Sequence, residues 1–284
     1  MAGTSNTVMD AVRAADHDRY LSALYAPANK RDALLALYAF NAEIAGVRDR
    51  IHEPLPGEVR LQWWRDVILA EGEAETGHPT ADALRAAITA HHLPKAAFEN
   101  MLEARVFDLY DDPMPSRIDL EGYCGETAAA LIQLAAMVLD ATAAPGLAEL
   151  AGRAGCAQAI TGLLLLLPLH RRRGQCYVPA DILAAAGTTP EEFVKGDGGA
   201  GAERAVAATI ALAREHLGAF EKGASALPAS LRPAFLPLAL TRAYLDKMEK
   251  GAPSPLKGAA ALSALRRHWL LLRHATRGLG TPLT

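Results

Sequence analysis

Residues 157–179 read AQAITGLLLLLPLHRRRGQCYVP. The stretch starts as an apolar run, meets Pro168 and leaves as a basic, glycine-containing turn. A helix apolar nearly all round is a buried helix, not a surface one. The run around Leu163–Leu169 is far shorter than the roughly 18 residues that span a bilayer, so the expectation is a soluble or peripheral chain. His170, Arg171, Arg172 and Arg173 gather at the helix end. There they meet the negative pole of the helix dipole, or they bind an anion such as a diphosphate or a lipid headgroup. The stretch contains no carboxylate at all.

The same helical grammar runs outward in both directions. No strand-length alternation of apolar and polar residues occurs, and helix-period segments recur between Pro and Gly. They are expected to end near Tyr25 and then to cover Lys30–Ile51, a segment after Gly57, Thr80–His91 with Thr80 as cap, and Pro94–Tyr110. Further on they cover Asp119–Asp140 with Asp119 as cap, Pro145–His170, Glu203–Ala224, Arg232–Lys250 and Ala259–Thr276. Thr189, Pro190 and Glu192 form a capping-box pattern. The chain has 284 residues, 51% of them hydrophobic and only 6% aromatic. Ala and Leu must therefore fill the core, and both favour helix. No repeat or long linker divides the chain. The expected architecture is one all-α domain over 1–284, with its core at about 16–250 and a C-terminal helix at 259–276.

A net charge of −3 argues against a nucleic-acid partner. The three cysteines, Cys124, Cys156 and Cys176, form no CxxC. A reducing, cytoplasmic setting fits them best, and the N-terminus shows no secretory h-region.

Several side chains invite two readings. In Lys30–Ile51, the spacing puts Leu37, Phe40, Ile44, Val47 and Ile51 on a buried stripe, with Asn41, Ala45 and Asp49 on the next. Arg48 falls near the apolar side, as a snorkelling cation or one paired with a carboxylate. Adjacent Trp63 and Trp64 must face different ways, one into the core and one towards a pocket or partner. Asp108, Asp111 and Asp112 form a solvated acidic loop or a divalent-cation site. Gly162, Leu166 and His170 share one face of the central helix. No Ser–His–Asp set, HExxH, Walker loop or GxGxxG is evident.

Taken together and in order, DRYLSALYAPANKRDALLALYAFN, LQWWRD, GHPTADALRAAITAHHLPKAAFENMLEARVFDL, EGYCGETAAALI and AGCAQAITG…RRRGQCYVPADIL resemble the squalene/phytoene synthase family. The resemblance implies an all-α isoprenoid-synthase fold around a central apolar cavity. It also implies two acidic motifs whose aspartates hold Mg²⁺ against a prenyl diphosphate. Aligned on Ala39–Phe40, the first motif's two positions hold Ala45 and Asp49. Aligned on Gly174, Tyr177 and Pro179, the second motif's positions hold Leu166 and His170. Gly162 stands for an asparagine one turn earlier and Leu165 for an arginine. Only Asp49 keeps its carboxylate.

AFNAEIAGVRDRIHEPLPGEVRLQWWRD further resembles the branch that assists assembly of respiratory complex I. The resemblance therefore implies a non-catalytic factor that binds a lipid, a prenyl chain or a protein partner, without metal or cofactor. The alternative is a prenyltransferase condensing prenyl diphosphates, with arginines holding the diphosphate, Asp49 as the catalytic candidate and Mg²⁺ as cofactor. A third reading is an interaction protein with a filled core. Candidate binding residues are Tyr20, Arg48, Asp49, Trp64, Leu166, His170, Arg173 and Tyr177. The expected partners are an apolar chain in the cavity and a respiratory-complex subunit or membrane surface, with the protein cytoplasmic and peripheral at the inner face of the membrane.

Overall fold

Ala- and Leu-rich segments form helices wherever Pro and Gly allow, and among the described residues no strand is present. The computed structural model describes residues 2–72, 75–251, 254–258 and 260–279. The α-helices in order are α1 (Ala2–Ala15), α2 (His17–Ala23), α3 (Ala28–Ala45), α4 (Val47–Arg50), α5 (Pro54–Leu69), α6 (Pro79–His91) and α7 (Lys95–Val106). Then come α8 (Arg117–Cys124), α9 (Ala130–Leu139), α10 (Ala148–Leu165), α11 (Leu167–Arg172), α12 (Ala180–Ala185) and α13 (Pro190–Lys195). The chain finishes with α14 (Ala200–Gly223), α15 (Arg232–Phe235), α16 (Thr241–Glu249) and α17 (Ala264–Arg277).

The chain divides into two compact units. The first holds Met1–Leu109, Ala130–Ala151 and Leu227–Pro237; the second holds Tyr110–Ala129, Gly152–Ala226 and Leu238–Thr284.

In the first unit α3 is the axis. Leu34 through Asn41 are buried without interruption, because α1, α6 and α9 pack around the helix. Phe40, Trp64 and Phe98 lock α3, α5 and α7 together through edge-to-face contacts at 5.1 and 5.6 Å, the geometry the ring quadrupole favours.

In the second unit α14 is amphipathic. Ala202, Val206, Thr209, Ala213, His216, Leu217 and Phe220 recur at helical spacing and are buried, and the helix packs against α12 and α16. α8 runs into a π-helical turn, Gly125–Ala129. Gly155 of α10 meets this turn so closely that a Cβ there would lie 2.4 Å from the Ala129 nitrogen. The requirement for glycine is therefore steric, not conformational.

The capping box at Thr189 and Glu192 is present, with Pro190 in the first turn. Two other caps differ from expectation. His78, not Thr80, caps α6: its ring accepts from the Ala81 N–H, and Pro79 occupies a first-turn position where no N–H is needed. Ser116, not Asp119, caps α8; its hydroxyl accepts from Asp119 N–H, and Asp119 returns its carboxylate to that hydroxyl at 2.6 Å.

Several expected helices are interrupted. Lys30–Ile51 breaks at Gly46. The expected Pro145–His170 starts as a 3₁₀ turn over Ala144–Leu147 and breaks at Leu166. Arg232–Lys250 passes through a 3₁₀ segment, Leu236–Leu240, because Pro237 lacks the N–H of a regular turn. The last helix begins at Ala264 under a Ser263 cap; its expected start at Ala259 lies outside the described residues. One run, Arg117–Leu139, is long and apolar enough to cross a bilayer by length and composition, but 56% of its apolar window is buried within the protein.

Candidate functional site

The first unit carries the Ala45/Asp49 half of the motif. Leu37, Phe40, Ile44 and Val47 are buried as the spacing predicts. Ile51 is not: it stands in extended backbone after α4 and is half-exposed. The cause is Gly46 (φ −90°, ψ 10°), which ends α3 and leaves α4 as one short turn. Ala45 closes α3, and Asp49 points to an exposed position. Arg48 is half-buried and donates to the His52 carbonyl.

The tryptophans divide into one core and one outward residue, but the expected binding candidate, Trp64, is the core one. Trp64 is fully buried, and Trp63 is half-exposed. Arg60 lies over the Trp63 ring at 4.2 Å and also donates to Glu43 at 3.3 Å. His78 reaches the same Glu43 oxygen at 3.5 Å and packs on both indoles. This box of Trp63, Arg60, Glu43 and His78 was not anticipated. The visible signal was the doubled tryptophan; the Glu43–His78 closeness joins α3 to the start of α6 and leaves no local trace.

Tyr20 is half-buried, stacked on His17 at 5.9 Å, with Arg13 over its ring at 5.8 Å. Tyr38 on α3 is buried, and burial pushes its phenol up to about 12 against the opposing pull of Arg19. Asp108, at the end of this unit, is buried and paired with Arg105 at 3.0 Å.

The second unit carries the Leu166/His170 half. Leu166 (φ −90°, ψ 0°) breaks the helix because Pro168 follows in the first turn of α11. Leu166 is 49% exposed, whereas His170 is 7% exposed. His170 packs on Tyr177 at 4.6 Å, and Tyr177 on Tyr123 at 6.1 Å.

The basic cluster is not uniform. Arg171 donates to the carbonyls of Phe193, Leu256 and Gly196, so its guanidinium ties the backbone of three segments together. Arg172 is exposed and Arg173 half-buried. Gly174 (φ +81°) makes the turn. Met114 accepts from Ala180 and donates to Cys176, both at 2.9 Å, which pins the segment carrying Tyr177. Burial pushes the Cys176 thiol up to about 11, far from a reactive thiolate. A second unanticipated cluster joins Glu121 to Arg117 (2.8 Å) and the buried His216 (2.9 Å). Burial alone would raise the Glu121 carboxyl, but hydrogen bonds from Arg117 and His216 hold it below its usual range.

Mg²⁺ needs several oxygen ligands in near-octahedral array. The four motif positions supply one carboxylate, one imidazole, a methyl and an isobutyl group. Glu43, the nearest substitute on α3, is already engaged by Arg60 and His78. Among the described residues no three His, Cys, Asp or Glu side chains gather so as to hold a metal ion. This donor set does not fit the family's metal.

The family profile of squalene/phytoene synthases matches residues 12–269. A Bos taurus protein named NADH dehydrogenase (ubiquinone) complex I, assembly factor 6 is 28% identical over 255 residues, covering 88% of this chain and 75% of that protein. The Homo sapiens protein of the same name is 27% identical, covering 87% and 74%. Among solved structures, a ligand-bound dehydrosqualene synthase superposes with a TM-score of 0.82 at 18% identity, over 97% of this chain and 96% of that one.

Proposed function

The chain belongs to the squalene/phytoene synthase family, and from that premise we propose that it is a member without prenyl-condensing activity that serves in the assembly of respiratory complex I. The observation that carries the reading is the second motif, where Leu166 and His170 stand in place of two carboxylates. Metal neutralisation of the leaving diphosphate is central to the family's reaction, and these residues do not supply it. The names of the similar cattle and human proteins support the biological setting. In this reading the protein needs no cofactor and holds an apolar lipid or prenyl chain. Its candidate binding residues are Tyr20, Arg48 and Asp49 within the first unit and, separately, Leu166, His170, Arg173 and Tyr177 within the second; Trp64 is not among them, because its side chain is fully buried in the packing of the first unit. It works on the cytoplasmic side, peripheral to the inner face of the respiratory membrane.

Two measurements test this together. Purified protein incubated with Mg²⁺ and farnesyl or geranylgeranyl diphosphate is expected to release no diphosphate and form no C30 or C40 product. A strain lacking the gene is expected to lose complex I activity with its isoprenoid content unchanged. Turnover that Asp49→Ala abolishes would overturn the proposal in favour of a prenyltransferase.

A further inference from the structure

α17 presents an apolar stripe to solvent. At about 100° per residue, Leu265, Trp269 and Leu272 fall within about 60° of one another, and they are 85%, 54% and 53% exposed. The helix does not need that stripe for its own packing, because Leu270, Leu271 and His274 form a separate buried face. Arg266, Arg273 and Arg277 run along one edge of the exposed stripe, and the helix contains no Asp or Glu. Arg273 lies over the Trp269 ring at 5.3 Å, which holds the indole beside the basic edge.

The charge extends beyond the helix. Lys247, Lys250 and Arg266 line a recess of about 410 Å³ next to Ser263, the α17 cap. Its one carboxylate, Asp246, is held by Arg214, which also takes Glu249. The recess therefore presents an excess of cations beside the apolar stripe.

We propose that α17 is an interfacial membrane-binding helix selective for anionic phospholipid. Leu265, Trp269 and Leu272 enter the boundary between headgroups and acyl chains. Arg266, Arg277 and Lys250 meet the lipid phosphates. Leucine and tryptophan on one face with arginines beside them is the pattern of a helix that lies in the plane of a bilayer, and tryptophan favours that depth. Basic groups at an anionic leaflet add electrostatic attraction. A second copy of the chain is a poor occupant, since it would set the same cations against one another. The inference rests on the peripheral placement proposed above and names the helix that would provide it; the role in complex I assembly is tested separately by the deletion strain, so the two can fail independently.

The test is vesicle flotation of the full chain. The protein is expected to float with vesicles of phosphatidylcholine plus phosphatidylglycerol and not with phosphatidylcholine alone, to be released by salt, and to show a blue shift of tryptophan emission. Leu265→Ser, Trp269→Ser and Leu272→Ser combined should weaken partitioning by about tenfold or more. Lys250→Glu, Arg266→Glu and Arg277→Glu combined should remove the preference for the anionic vesicles. The substituted side chains of both sets lie on the surface, and unchanged circular dichroism and melting temperature would show that each variant folds. Failure to float, equal binding to both vesicles, or variants that bind like the parent would overturn the proposal. So would a dimer in sedimentation velocity that the serine variant splits.

Discussion

The two units each break a helix within a motif, the first between its two positions and the second at one of them, and the two breaks have nearly the same backbone geometry: φ −90°, ψ 10° at Gly46 and φ −90°, ψ 0° at Leu166. Their causes differ. Gly46 is itself a poor helix residue. Leu166 is a good one, and its break is imposed by Pro168. Their exits differ more. The first opens into exposed, polar chain, where Asp49 stays in solvent. The second enters a segment clamped by Arg171 and pinned by Met114, so that His170 is buried against Tyr177. A carboxylate at position 49 costs little with or without a cation. One at position 170 would be buried and would need a compensating charge. The contrast accounts physically for why position 49 keeps an aspartate and position 170 does not: water can solvate only the first.

The largest expected effect comes from removing what makes the second exit rigid. Arg171→Ala leaves three backbone carbonyls without their donor and should destabilise the protein by about 3–5 kcal/mol, read from urea unfolding. A loss below about 1 kcal/mol would mean the clamp is solvent-compensated and the two exits are alike. Next, the exits can be compared directly by placing the same group in both. His170→Asp should cost about 3 kcal/mol at neutral pH; because burial raises the folded carboxyl above its unfolded value of about 3.9, the deficit should shrink as pH falls through that raised value and be gone below pH ~4. Asp49→Asn should change stability by less than about 0.5 kcal/mol. Equal effects at the two positions would remove the distinction.

A third effect, smaller than that expected of Arg171→Ala, tests how dry the first unit is just ahead of its break. Tyr38 holds its proton up to about 12 in the folded state, against about 10 when unfolded. Its contribution is complete below pH ~10 and is lost as pH rises towards 12, a loss of about 2–3 kcal/mol. Thermal unfolding followed across that range should show this limb in the parent and not in Tyr38→Phe. A limb retained in the variant would assign it to other groups.

Much of this was legible in the residues. Composition and periodicity carried the all-α class, the buried stripe of α3, the division of Trp63 from Trp64 and the Thr189 capping box. The break at Gly46 was not legible, because a mid-helix glycine costs only about 1 kcal/mol and packing decides whether the helix continues. The His78 and Ser116 caps lay two or three residues from the expected ones, a scale on which several polar residues compete for the same orphan N–H groups. Arg171 reads locally as one charge in a basic run. Its partners Phe193, Gly196 and Leu256 are backbone carbonyls 22, 25 and 85 residues away, and no side-chain pattern marks them. The division into two units left no mark either, since boundaries at 129/130 and 151/152 fall inside helical runs.

The His78 cap also decides something smaller. Its Nδ1 accepts the Ala81 N–H, so in the neutral ring the hydrogen sits on Nε2, which faces Glu43. That nitrogen is then a donor and offers Arg60 no lone pair, although the two lie 3.4 Å apart; Arg60 is left with the Glu43 carboxylate as its acceptor. The start of one helix thus selects the tautomer of a ring, and the tautomer selects the partner of an arginine on another helix.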